Sequence, residues 1–188
     1  MANLSKNGTL ATAAGVAAVG FVAGMAVNPL RKLAHQGLEV VAGKNDWFEI
    51  LKLEHASVNT LFEQLLQTED ADTKKRTALL AAIKVGLTKH ALQEEDVIYP
   101  ALREAGIEAD TKELYAEHAD IKTYLHELET KPKDDPNWLE RVQAFHTLIQ
   151  HHVREEEDEI YPRFQGQLSE EQNAKITKRM NIEGLLLA

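Results

Sequence analysis

Apolar residues recur at alternating steps of three and four along four segments of the chain, as they do on the buried face of an amphipathic helix. The stripes are Phe48, Leu51, Val58, Phe62 and Leu65; Ile83, Leu87 and Val97; Leu114, Ile121, Leu125 and Leu128; and Trp138, Val142, Phe145, Ile149 and Ile160. No alternating Val- or Ile-rich segment between turn signals indicates a strand. The pattern therefore predicts an all-α fold, most simply an up-down-up-down four-helix bundle.

Capping and turn residues separate these segments. Asn45 and Asp46 form a plausible N-cap pair before the first helix, and Pro100 suits the first turn of a short extra helix that Gly106 would end. The third helix is expected to begin near Asp110, and a shorter polar helix to open at Ser169.

We therefore divide the chain into three parts. Residues 1–44 are expected to form an N-terminal apolar helical segment and connector, residues 45–166 the bundle, and residues 167–188 a short C-terminal helix and tail.

The N-terminal segment, residues 9–28, has no charged residue and is rich in Ala, Gly and Val. Its length suits a membrane-spanning helix, but its hydrophobicity is weak because Ala and Gly contribute little transfer energy. A helix packed on protein and a cleaved signal peptide remain alternatives. The sequence thus predicts a cytoplasmic protein, or one associated with a membrane through residues 9–28.

The amino-acid composition limits the kinds of partner and metal site that the chain can have. A chain of 188 residues suits one main domain, and a net charge of −9 argues against nucleic acid as a partner, because a phosphate-binding surface needs clustered Lys and Arg. The absence of cysteine excludes disulfides, thiolate metal sites and a cysteine nucleophile. Any bound metal must be held by nitrogen and oxygen ligands.

Each apolar stripe is interrupted by one inward histidine, and two of the stripes also carry a glutamate four residues later. The motif His-x-x-x-Glu begins at His90 and again 62 residues on at His152, and a Glu-His pair ending at His55 recurs 63 residues on. The six candidate metal ligands are His55, His90, Glu94, His118, His152 and Glu156.

Burial of an ionised carboxylate inside a bundle costs roughly several kcal/mol of folding free energy unless the carboxylate is paired or coordinated. Neither Glu94 nor Glu156 shares its stripe with a Lys or Arg. Six nitrogen and oxygen ligands are too many for one tetrahedral zinc and suit two ions bridged by the carboxylates. This ligand set favours iron, with manganese or zinc as alternatives; a metal-free structural bundle is the remaining reading.

The other polar candidates receive structural interpretations. His126 is expected at the edge of its stripe and His151 could exchange with His152 after an error in helix phase, while His35 and His146 are expected on the surface. A solvated face is expected for Glu95, Asp96, Glu155, Glu157 and Asp158. Tyr99 and Tyr161 are expected to pack at bundle ends, with a hydrogen bond to a bridging carboxylate as the alternative.

The order His55, His90-x-x-x-Glu94, His118, His152-x-x-x-Glu156 resembles the hemerythrin family in its bacterial HHE cation-binding form, over about residues 46–164. The resemblance implies a four-helix bundle around an oxo- or hydroxo-bridged pair of iron ions. In that arrangement each of the four histidines supplies one nitrogen, and Glu94 and Glu156 bridge the ions.

The sequence departs from the oxygen-carrying hemerythrins at two positions. Those proteins have a histidine where this chain has Lys122, and an aspartate one residue later than Glu156. The resemblance thus favours binding of dioxygen, peroxide or nitric oxide in stress response or iron homeostasis over oxygen transport. A peroxide-decomposing or oxidase enzyme and a membrane-tethered iron store or sensor are the alternatives. Turnover and the redox partner are left open.

Overall fold

The computed structural model describes residues 46–185, and this part of the chain is helical with short connections and no strand. The helices are α1 (Trp47–Leu66), α2 (Thr73–Gln93), α3 (Tyr99–Glu104), α4 (Glu108–Thr130), α5 (Trp138–Glu155), α6 (Tyr161–Gln165) and α7 (Glu170–Leu185). One turn of π-helix, π1 (Glu94–Ile98), joins α2 to α3, and another, π2 (Glu156–Ile160), joins α5 to α6. The predicted all-α four-helix bundle is confirmed, with α7 as an additional helix.

The predicted N-terminal helical segment lies outside the described residues. Among the helices of residues 46–185, none is long and apolar enough to cross a membrane.

Local sequence accounts for where several helices begin. The carboxylate of Asp46 accepts a hydrogen bond from the Glu49 amide at 3.0 Å, as expected of an N-cap. At α7, Ser169 and Gln172 exchange backbone-to-side-chain hydrogen bonds of 2.8 and 3.2 Å, which is a capping box. Helix α4 begins at Glu108, two residues before the predicted start, after Gly106 turns the chain with a φ of 82°.

Two apolar clusters fill the bundle, one on each side of a polar layer. The first includes Trp47, Leu51, Val97, Leu114 and Ile160, and the second includes Val58, Leu87, Ile121 and Ile149. Along each long helix, the inward histidine lies between members of the two clusters. The apolar stripes therefore hold this polar layer inside the protein.

The π turns change which side chains face the polar layer. In these turns the amide of Tyr99 donates to the carbonyl of Glu94, and the amide of Tyr161 donates to the carbonyl of Glu156. The fifth residue after each glutamate therefore lies one full helical turn further along the axis. In an uninterrupted α-helix, residue five would lie about 140° away around the axis. Each tyrosine is consequently aligned with the glutamate that starts its π turn.

Helix α7 packs across α1, α2 and π1. The Trp47 amide donates to Thr177 Oγ1 at 3.0 Å, and the Trp47 indole Nε1 donates to Asn173 Oδ1 at 2.7 Å. Met180 is completely buried. At Gly184 the approach to α2 is so close that a Cβ would lie 2.8 Å from the Gln93 side chain. This helix closes one side of the bundle beside the polar layer.

Candidate metal centre

The six predicted ligands lie together in the polar layer, and all are buried. They form two groups whose ligand atoms lie within 4.8 Å of one another: His55, His90, Glu94 and Glu156 in one, and Glu94, His118 and His152 in the other. Because Glu94 belongs to both groups, the arrangement is one shared site and not two separate ones.

Each glutamate lies between a histidine of its own helix and a histidine of another helix. Glu94 Oε2 is 3.1 Å from His90 Nε2 and 3.3 Å from His118 Nε2. Glu156 repeats this pattern, with Oε2 at 3.3 Å from His55 Nε2 and Oε1 at 3.5 Å from His152 Nε2. Two carboxylates in these positions are suited to bridging a pair of ions.

Several polar atoms of this layer lack a good hydrogen-bond partner and are placed where a cation could contact them. His152 Nε2 and Glu156 Oε2 are buried without a hydrogen-bond partner among the described residues, although such orphans are costly. The Nε2 atoms of His55 and His90 face each other at 2.9 Å. Inward imidazole nitrogens and carboxylate oxygens are the donors that iron, manganese and zinc accept, so these residues fit a metal.

A carboxylate contacts the outer nitrogen of every inward histidine. The Nδ1 atoms of His55, His90, His118 and His152 lie 2.7, 3.2, 2.8 and 2.6 Å from Glu157, Glu54, Glu95 and Glu117, respectively. Such contacts fix the ring orientation and leave Nε2 as the ligand atom.

This finding corrects the prediction that Glu95 and Glu157 belong to a solvated face. Their side chains are only 25% and 28% exposed. The sequence carries a signal for this arrangement, because a Glu-Glu pair begins four residues after a histidine in both halves. Helix phase alone, however, places the second glutamate of each pair toward solvent.

The two tyrosines that follow the π turns bind the central carboxylates. The Tyr161 hydroxyl lies 2.5 Å from Glu94 Oε1 and 2.6 Å from Glu156 Oε1, and the Tyr99 hydroxyl lies 3.1 Å from Glu156 Oε1. Burial, with both glutamates nearby, raises the pKa of each tyrosine well above its usual value, so both remain protonated donors. The alternative of a carboxylate hydrogen bond is therefore the arrangement observed.

The layer attracts positive charge. Burial alone would raise the pKa of Glu94, but His90 and His118 hold it well below its usual value. Burial alone would lower the pKa of His152, but Glu156 and Glu117 raise it to about 9. A carboxylate that stays ionised in an apolar surrounding, as Glu94 does, favours a cation beside it.

A cavity of about 190 Å³ adjoins the four histidine rings. Apolar side chains form much of its wall: Val58, Leu87, Ile121, Leu125 and Ile149. Lys122 also lines it, is 61% exposed, and donates to Glu95 Oε1 at 2.8 Å. Lys122 therefore supports the carboxylate that contacts His118.

Comparison with known proteins gives the same family as the ligand order. Residues 47–164 match the model of the hemerythrin HHE cation-binding domain. This chain belongs to the hemerythrin family. The family is one of cation-binding domains, and the clustered histidines and glutamates of this member are capable of holding metal.

Relatives of this hemerythrin-family chain share its fold and part of its length. It is 33% identical to a DNA nickase of Nostoc over 124 residues, which are 66% of this chain and 35% of that protein. It is 26% identical to the uncharacterised protein Rv2633c of Mycobacterium tuberculosis over 61% of this chain and 70% of that one. The matched region thus covers about a third of the length of the nickase and 70% of the length of Rv2633c.

A solved structure has the same architecture. It is a hemerythrin HHE domain-containing protein of Mycobacterium kansasii, a homologue of Rv2633c, with a TM-score of 0.68 and 22% identity over 77% of this chain and 88% of that one. This likeness concerns the fold.

Three other histidines of this hemerythrin-family member, His126, His146 and His151, do not belong to the six clustered residues. His146 was predicted on the surface, which is wrong: it is buried, stacks on Phe62 at 4.9 Å, and donates from Nε2 to Asn59 Oδ1 at 2.7 Å. His126 and His151 are exposed, so His152 is the inward residue of its pair. His35 lies outside the described residues.

Proposed function

We propose that this protein binds two iron ions through His55, His90, Glu94, His118, His152 and Glu156, and that the ions bind dioxygen, peroxide or nitric oxide in stress response or iron homeostasis. The observation that carries the proposal is the position of two buried glutamates, each between histidines of two different helices. Iron suits a mixed set of imidazoles and carboxylates, and when bound it supplies ligand exchange and redox chemistry.

The protein's own residues prepare this site. Four outer carboxylates hold the imidazole rings with Nε2 inward, and the hydroxyls of Tyr99 and Tyr161 hold the central carboxylates. The apolar cavity beside the rings has room for a small ligand and limits its contact with water. The site therefore combines a set of charged metal-binding residues with an adjoining apolar cavity for a small ligand.

The side chain of Lys122 favours reactivity over reversible oxygen carriage. It turns to Glu95 and supplies no imidazole to the site. Two ions that each prefer about six ligands would then retain positions for exogenous ligands. The cavity beside these positions also supports the alternative of peroxide decomposition or oxidation, and oxygen evolution from added peroxide would distinguish turnover from binding.

Two other roles have less support. A membrane-tethered iron store or sensor rests on residues 9–28, which lie outside the described residues. The nickase activity in the name of the Nostoc relative is not extended to this chain, because the match covers 35% of that protein and the net charge here is −9.

Metal analysis tests the proposal directly. We expect aerobically purified, untagged protein to contain two iron ions per chain and to show charge-transfer absorption in the near ultraviolet. The double variant His90→Ala with His152→Ala should lose this iron, because each ion loses an imidazole, whereas the variant of exposed His126→Ala should retain it. Stoichiometric binding of another metal in place of iron, or full iron content in the double variant, would contradict the proposal.

A further inference from the structure

Glu117 differs from two of the other carboxylates that support the inward histidines. Lys89 Nζ lies 2.8 Å from Glu54, and Lys122 Nζ lies 2.8 Å from Glu95. Within residues 46–185, no lysine or arginine lies within ion-pair distance of Glu117. Glu117 instead lies beside an imidazole, that of His151, and a second carboxylate, that of Glu155.

The internal repeat shows which group takes the place of the lysine. Glu54 and Glu117 occupy equivalent positions, each before an inward histidine, and Lys89 corresponds to His151, each before the histidine of His-x-x-x-Glu. Glu155 corresponds to the uncharged Gln93. One half thus neutralises its carboxylate with an ammonium, whereas in the other half an imidazole and a second carboxylate lie beside Glu117, with no lysine or arginine among the described residues at ion-pair distance from it.

These three residues can meet at one ion. Each offers a ligand atom, and the three atoms lie within 4.8 Å of one another. Glu117 lies on α4, while His151 and Glu155 lie one turn apart on α5, with His151 Nδ1 at 3.6 Å from Glu155 Oε2. Solvent can complete the coordination, because the His151 side chain is 62% exposed.

The same carboxylate also reaches the buried layer. Glu117 Oε2 accepts the hydrogen bond from His152 Nδ1 at 2.6 Å, and the Glu117 side chain is 21% exposed, so the carboxylate has further acceptor capacity and contact with solvent. An ion held there would be separated from the buried site by the Glu117 carboxylate and the His152 ring.

We propose that Glu117, His151 and Glu155 form an exposed binding site for a divalent first-row transition-metal ion, distinct from the buried site and joined to it through Glu117. One imidazole and two carboxylates with open water positions suit zinc, manganese or iron(II). Since Glu117 serves both sites, binding at the outer site changes the electron density that His152 receives from its hydrogen bond.

The test is a zinc titration of untagged protein whose buried site is already filled and whose metal content has been measured. We expect calorimetry to show one further zinc equivalent per chain. The variants His151→Ala and Glu155→Gln should each weaken zinc binding by about tenfold or more, because each removes one of the three ligands. The absorption of the buried site should shift during the titration in the unaltered protein but not in His151→Ala.

The variant His126→Ala is the matched control, because it removes an exposed imidazole from elsewhere on the surface. Its zinc binding should equal that of the unaltered protein. The proposal is overturned if no further equivalent binds, if His151→Ala binds zinc as tightly as the control, or if the absorption does not respond. Metal content before titration reports on the buried site separately, so the calorimetric result does not depend on which metal fills it, and the absorption criterion applies to protein whose buried site holds iron.

Discussion

At the scale of single residues, the inward histidines are held at both ring nitrogens. Nε2 of each faces the central carboxylates, while Nδ1 contacts a carboxylate on the outer side. Two of these outer carboxylates contact a lysine in turn. Rotation of a ring would therefore break contacts on two sides, which keeps the ligand atoms in place before any ion binds.

His146 gives a prediction at this scale. Burial lowers the pKa of His146, and the nearby Glu63 only partly opposes that effect. The folded protein thus keeps the imidazole neutral at pH values where the unfolded chain binds a proton. Stability conferred by this group is complete above about pH 6.5, the ordinary histidine pKa, and is lost as the pH falls through the lowered folded value.

Urea unfolding at about pH 7.5 and about pH 5.5 measures this effect, because the interval spans the ordinary histidine pKa. We expect the variant His146→Gln, which does not titrate, to lose less of its free energy of unfolding between the two pH values than the unaltered protein. The exposed His126→Gln should behave like the unaltered protein. Equal pH dependence in His146→Gln and the unaltered protein would refute the assignment.

The sequence predicts some residues of the site better than others. The six inward ligands follow from a uniform helical step, since each falls on an apolar stripe. Glu54, Glu95, Glu117 and Glu157 were not singled out as partners of these histidines, because each meets a histidine of another helix and the distance between helices is not encoded in helix phase. His146 was misplaced for the same reason, since its partners Asn59 and Phe62 belong to α1.

At the scale of secondary-structure elements, the π turns decide what lies next to the central carboxylates. A helix with constant geometry would turn Tyr99 and Tyr161 away from Glu94 and Glu156. Both π turns begin at a central glutamate and end before a Tyr-Pro pair. Hydrophobic periodicity does not predict the positions of the π turns, because it assumes one repeat along the whole helix. It therefore places the tyrosines at the bundle ends.

Insertion of one alanine after Asp96, an exposed residue of π1, tests this role. The insertion makes Tyr99 the sixth residue after Glu94 instead of the fifth, and should rotate Tyr99 by about 100° away from the carboxylates. The variant Tyr99→Phe, which removes only the hydroxyl, should lose about 1.5–3 kcal/mol of unfolding free energy, as for a hydrogen bond to a charged group. We expect the insertion to lose more than this and to lower the metal content.

Thermal and urea unfolding with metal analysis would compare these variants. Asp96→Ala is the control for a change at this exposed position without a change of register, and it should stay within about 0.5 kcal/mol of the unaltered protein. An insertion variant as stable as Tyr99→Phe would show that the register of π1 has no role beyond the hydroxyl.

At the scale of the whole molecule, α7 extends the bundle beside the polar layer. Met180 is completely buried against the cluster that contains Trp47 and Tyr99, whereas Ile182 on the same helix is 50% exposed. We expect Met180→Ala to reduce the free energy of unfolding by about 2–5 kcal/mol through lost burial and a cavity. Ile182→Ala should change it by less than about 0.5 kcal/mol.

Urea unfolding of the two variants measures this difference. Similar small losses in both would mean that α7 is only loosely attached to the bundle. The sequence predicts the start of α7 through Ser169, but it does not indicate the side of the bundle on which the helix docks, because that depends on the indole of Trp47 and the absence of a side chain at Gly184.

The exchange of partners between the two halves gives the site an approximate twofold symmetry. Glu94 of the first half contacts His118 of the second, and Glu156 of the second contacts His55 of the first. In a twofold homodimer the same rule holds, with residue i of one subunit meeting residue j of the other and the reverse. The polar layer thus has the pairing of an isologous interface within one polypeptide, and neither half of the bundle carries all six candidate ligands alone.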